Sequence, residues 1–125
     1  MTTERRLYER IDRIKPVTFL MPNGESLEAT GENLSLGGMQ VRCPRWLIAE
    51  LTPSPDRIAR GQPVDLRVRF ELPVEKNKPP VTIEARCNAV ALRRLSEDEY
   101  HISLTFSFFE GNGYNDLEAF IDKNA

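Results

Sequence analysis

From Val64 to Leu72 the chain reads Val-Asp-Leu-Arg-Val-Arg-Phe-Glu-Leu, apolar and polar residues alternating without a break. Successive side chains of a β-strand point to opposite faces, so this run specifies a strand with one buried and one solvated face. The same rhythm returns in residues 39–43, 81–92 and 100–106, the second of these long enough to need a bulge. Residues 14–21 and 26–33 add two further strand-like runs, joined by the turn signal Pro22-Asn23-Gly24. Pro44 stops the third run, and the polar stretches 75–80 and 96–99 turn the chain back after the fourth and fifth.

Two segments depart from this pattern. Residues 45–61 are irregular: a short helix fits residues 45–51, and Pro53, Pro55 and Gly61 then punctuate a loop. Near the end, Leu117, Phe120 and Ile121 fall at helical spacing, which predicts a helix over about 114–123 able to close over the sheet. The expected architecture is all-β dominated, a six-stranded antiparallel β-barrel or rolled sheet with a C-terminal α-helix. A length of 125 residues suits one domain. Residues 1–13, which lack an apolar face, read as a flexible Arg-rich N-terminal arm, and 14–125 as the barrel domain.

Composition narrows the function classes. A formal charge of −2 and a pI near 5.5 argue against a general nucleic-acid binder, and 8% aromatic content gives few stacking platforms for single strands. No apolar run approaches the roughly 18 to 20 residues of a membrane span, and the charged start lacks a signal-like apolar stretch, so membrane insertion is not expected and the chain is read as cytoplasmic. With one histidine and two widely separated cysteines, neither a metal site nor a nucleophilic triad is expected. The chain is therefore read as a non-enzyme without a cofactor. Cys43 and Cys87 are read as packed thiols, with a disulfide as the alternative, and His101 as a surface residue on the polar side of its strand. Arg67 and Arg69 read as a solvated strand face. Trp46 is expected to pack the 45–61 insertion onto the domain, bordering a ligand or partner surface being the alternative.

The net charge hides an asymmetry. Residues 1–15 carry five basic side chains against three acidic ones, while residues 110–125 carry one against four. Arginines at one end of an acidic chain are placed to meet an anion. Arg6 and Arg10 are four residues apart, on one side of an extended arm about 13 Å from each other, or one turn apart in a helix. The guanidinium suits both phosphate oxygens and the N7/O6 edge of guanine. Further on, Asn33-Leu34-Ser35-Leu36-Gly37-Gly38 puts short donors and acceptors at Asn33 and Ser35 beside two glycines. In an extended segment Asn33 and Ser35 share a side, and Gly38 keeps the main chain open to a flat base.

Each pattern alone is ordinary, a solvated arm and a β-turn. In this order, Arg-x-x-x-Arg (Arg6, Arg10) followed by Asn-x-Ser-x-x-Gly (Asn33, Ser35, Gly38) resembles the PilZ domain, a bacterial receptor module for cyclic di-GMP. The resemblance implies the same six-stranded barrel with a terminal helix. It also implies ligand contacts at Arg6, Arg10, Asn33, Ser35 and Gly38, with Arg5 and Gly37 as helpers. The implied function is a cyclic di-GMP receptor or adaptor whose arm changes conformation on binding and signals to a protein partner in motility, pilus, secretion or polysaccharide machinery, as monomer or homodimer. The alternative is a PilZ-like interaction adaptor that binds no nucleotide. One departure is the acidic company of Arg10: Glu9 beside it and Asp12 two residues on are expected to weaken phosphate attraction or to pair with an arginine before the ligand arrives.

Overall fold

The computed structural model describes residues 16–52, 56–62, 64–73 and 77–124. The arm and residues 14 and 15 lie outside these. Six strands, β1 (Pro16–Leu20), β2 (Ser26–Glu32), β3 (Gly38–Pro44), β4 (Val64–Leu72), β5 (Val81–Arg94) and β6 (Glu99–Phe109), close into a barrel in the order β1-β2-β3-β6-β5-β4. Every neighbouring pair is antiparallel. Two short helices, α1 (Arg45–Leu51) and α2 (Asp56–Ala59), sit between β3 and β4, and α3 (Gly113–Asn124) follows β6.

The period-two runs become the strands because each places its apolar set inside. On β4, Val68, Phe70 and Leu72 are buried while Arg67 and Glu71 face water. Closure comes from β1 against β4, with Val17 opposite Phe70 and Phe19 opposite Val68, all four at most 2% exposed. Covering such a side chain contributes roughly 1.5 to 3 kcal/mol, so this short seam is held by its contents as well as its ladder. The first turn needs Gly24, whose φ of 91° lies in the left-handed region. Its N–H donates to the Met21 carbonyl at 3.0 Å. The bulge expected in the long fifth strand is present as register shifts against β6 at Arg86/Cys87 and Ala89/Ala91.

Leu117, Phe120 and Ile121 of α3 are buried, as their spacing predicted, and an aromatic chain links the helix to the barrel. Its ring centroids are 6.2 Å apart for Phe70 and Phe106, 5.0 Å for Phe106 and Phe109, and 5.8 Å for Phe109 and Tyr114. The insertion behaves differently from expectation at one residue. Leu47, Ile48 and Leu51 bury α1, but Trp46 is 58% exposed and does not anchor it. On a seven-residue helix those three side chains already define the inward stripe, and Trp46 falls outside it. Ile58 of α2 supplies a second buried contact further along the insertion.

Both cysteines are free and buried. Burial pushes each thiol up to about 12, helped at Cys87 by the Asp65 carboxylate. They are core residues held in the neutral form, as the packed-thiol reading anticipated.

Candidate ligand-binding site

Between β2 and β3 the chain makes a tight hook. Asn33 has a φ of 50°, a left-handed conformation that Asn tolerates better than most residues, so this position is a bend and not the extended segment expected from the motif. Leu34 and Leu36 are 0% and 3% exposed and tie the hook to the core, leaving Ser35 between them half-buried at the surface. The hook closes on one carbonyl, that of Gly38. It accepts from the Ser35 N–H at 2.8 Å and from the Ser35 hydroxyl at 3.3 Å.

Gly38 has a stricter role than leaving room for a base. A Cβ there would overlap the carbonyl oxygen of Leu104 on β6, so glycine is what allows β3 and β6 to pair at this end. Gly37 contributes its carbonyl, which accepts from the Phe106 N–H at 2.9 Å. Asn33 donates from Nδ2 to Oε1 of Gln40 at 2.6 Å. The structure thus brings Asn33, Ser35, Gly37 and Gly38 together in the hook. Arg5, Arg6 and Arg10 lie outside the described residues.

Beside the hook runs a second polar cluster. Glu32 accepts from Arg42 Nε and from His101 Nε2, both at 3.0 Å, and Arg42 also lies 3.8 Å from Glu99. Arg93 donates to His101 Nδ1 at 3.0 Å. Because a guanidinium only donates, Nδ1 is the acceptor and Nε2 carries the hydrogen shared with Glu32. His101 is consequently 7% exposed, contrary to the surface residue expected from its strand parity. It does face outward from the barrel, but the side chains of neighbouring strands cover it. That cover depends on register: Arg42 and Arg93 both stand directly opposite His101. The missed partners Gln40, Glu32 and Arg93 had only weak signals in the sequence, namely polar residues at outward strand positions. Nothing local says that Gln40 stands opposite Glu32.

A cavity of about 660 Å³ opens elsewhere, where β1 stops pairing with β4. Leu20, Met21, Leu66, Arg67 and Arg86 are among its lining, and it shares no residue with the hook. No described helix is long and apolar enough to cross a membrane.

A closed six-stranded antiparallel barrel, covered by a C-terminal helix and carrying a polar hook between β2 and β3, defines a small binding or adaptor module. The model of the PilZ domain family matches residues 4–123, and the chain belongs to that family. PilZ domains are receptor and adaptor domains. Among solved structures, the Bacillus subtilis inhibitor of motility MotI/DgrA is similar at a TM-score of 0.70 and 20% identity, covering 95% of this chain and 50% of that one. MrkH of K. pneumonia in its apo state is similar at a TM-score of 0.53 and 17% identity, covering 92% and 49%. The chain therefore spans about half the length of the structures it matches, and at these identities the likeness is one of fold. No curated protein matches by sequence.

Proposed function

We propose that this chain is a cyclic di-GMP receptor. The observation that carries the proposal is the hook: Asn33 and Ser35 stand at the surface on a turn fixed by two buried leucines, at the positions where the PilZ motif has its polar contacts. Arg6 and Arg10 supply the charge the hook lacks. The ligand carries two phosphate monoanions, and it draws the arginine arm onto the barrel, where the hook takes a guanine and the guanidinium groups take phosphate oxygens or the N7/O6 edge. Ordering the arm costs conformational entropy, which charge-assisted contacts must exceed. Binding then shifts the arm's population and presents a new surface to a protein partner in the cytoplasm.

Each charge-assisted hydrogen bond contributes roughly 1.5 to 3 kcal/mol, so Arg6→Ala or Arg10→Ala is expected to weaken binding about ten- to a hundredfold. Titration calorimetry with cyclic di-GMP, beside GTP and cyclic di-AMP, measures this together with stoichiometry. Wild-type affinity in both variants would remove the arm from the mechanism. A flat wild-type titration would overturn the receptor reading in favour of an adaptor that binds no nucleotide.

A further inference from the structure

β1 covers only part of β4. Its partners there are Phe70, Arg69 and Val68, so residues 64–67 have no strand on that side among the described residues. No loop takes its place. Outside the strand ladders no described backbone hydrogen bond reaches residues 64–67, and the turn after β1 uses its amides on itself, Met21 on Glu25 and Gly24 on Met21. The cavity of about 660 Å³ lies at this gap, with Leu20, Met21 and Pro22 lining one side, Asp65, Leu66 and Arg67 the other, and Arg86 beyond. An open strand edge is a ready template for a second extended chain.

The charges beside this edge are also unmatched. Arg67 stands directly opposite Arg86 on β5, and like charges facing each other across a ladder are destabilising. Two residues along the same ladder Arg69 is matched with Glu84 at 3.9 Å, whereas neither Arg67 nor Arg86 makes an ion pair with a described carboxylate. Arg86 instead lies over the ring of Phe108, 5.7 Å from its centroid, on the β6 side and so away from β4. Both arginines are exposed, and among the residues lining the cavity they stand against the single carboxylate of Asp65.

We infer that the gap between β1 and β4 is a docking site for an extended acidic segment of a protein partner, which pairs its backbone with the free edge of β4 and sets its carboxylates against Arg67, with Arg86 behind. Strand alternation fixes the rest of the segment's chemistry: residues on the face of Arg67 are acidic, and those between them, on the face of Leu66, are apolar. This chain does not supply such a segment itself. Residues 1–15 carry five basic side chains against three acidic ones, and the acidic end of the chain is wound into α3. The cavity shares no residue with the hook, so the inference holds equally for a receptor and for an adaptor that binds no nucleotide.

The test is amide NMR of the isotope-labelled full chain at neutral pH. The probe is a capped hexapeptide alternating glutamate and leucine. Its controls are the lysine–leucine counterpart and a glutamate–leucine peptide methylated on every amide nitrogen, which keeps the charge and removes the backbone donors. The glutamate–leucine peptide is expected to shift the amide signals of residues 64–67, and neither control does so. Arg67→Ala is expected to weaken that binding about fivefold, the worth of one exposed charge pair. It should not lower the urea midpoint, because it removes a repulsion and no partner. The double variant Arg67→Glu/Arg86→Glu keeps the like-charge pair with its sign reversed, and is expected to prefer the lysine–leucine peptide. Unmoved signals at 64–67 with the glutamate–leucine peptide at millimolar concentration, or equal shifts with the lysine counterpart, overturn the inference. Equal binding by the methylated peptide removes the strand pairing and overturns the site as proposed. A loss of stability in Arg67→Ala makes Arg67 a structural residue and overturns it as well.

Discussion

Two polar clusters sit side by side on the outer surface of β2, β3, β6 and β5, and they are satisfied to different degrees. In the first, Glu32, Arg42, His101 and Arg93 use one another's hydrogen-bonding groups, and the histidine ring has both nitrogens engaged. In the second, Asn33 uses one of its two amide hydrogens on Gln40 and the Ser35 hydroxyl donates to the Gly38 carbonyl, which leaves hydrogen-bonding capacity to spare on both side chains. A buried group left unpaired is costly, whereas a half-buried acceptor at the surface is satisfied by water until something better arrives. The closed cluster therefore cross-links four strands, and the open one keeps acceptor capacity for the ligand proposed above. Adjacent placement means that the first holds still the frame on which the second is presented.

Both clusters depend on β3, so the most severe way to break the comparison is at its first residue. Gly38→Ala puts a methyl group into the Leu104 carbonyl oxygen, and backbone cannot yield there without opening the β3–β6 ladder. Overpacking of this kind costs about 3 kcal/mol or more. Urea denaturation is expected to show that loss, with ligand binding lost alongside. A stable Gly38→Ala protein that fails only to bind would return Gly38 to the role of a ligand-side clearance, as the motif alone suggests.

The second contrast concerns His101. Replacing it with alanine removes the 3.0 Å contacts that Glu32 and Arg93 make with the ring, while the hook keeps all of its own bonds. The expected cost is about 1 to 3 kcal/mol in unfolding free energy. The ratio of affinities for the two cyclic dinucleotides should stay at its wild-type value. A changed ratio with unchanged stability would reverse the division of labour drawn here.

His101 also marks where the sequence stops being informative. Period-two alternation was enough to place four of the six strands, because a strand buried on one face writes its burial into every second residue, while β1 and β2 were read from strand-forming residues around the Pro22-Asn23-Gly24 turn. The terminal helix followed from Leu117, Phe120 and Ile121 for the same reason. Alternation correctly turned His101 away from the barrel interior, but it carries no information about what stands opposite. Arg42 precedes His101 by 59 residues and Glu32 by 69, and only the closed barrel brings them together. The hook shows the same limit. Asn33, Ser35 and Gly38 were legible as a motif, yet the left-handed turn at Asn33, the clash that requires Gly38 and the partner at Gln40 all depend on neighbouring strands.

The division between closed and open groups extends to apolar surface on α1, and here the smallest effect is expected. Leu47 is fully buried, while its neighbour Trp46 keeps 58% of its surface in water and makes no anchoring contribution. Isolated exposed apolar residues are normal on protein surfaces, so exposure alone assigns Trp46 no task. Its truncation nevertheless separates two roles. Trp46→Ala should change unfolding free energy by less than about 0.5 kcal/mol, as for surface sites that carry no packing, whereas Leu47→Ala should cost about 2 to 5 kcal/mol through the cavity it leaves. Chemical denaturation of the two variants in parallel checks both values, with the leucine variant showing that the assay detects loss of α1 packing. A Trp46→Ala loss comparable to that of Leu47→Ala would mean that the indole holds the insertion down after all, and that α1 has two packed faces instead of one.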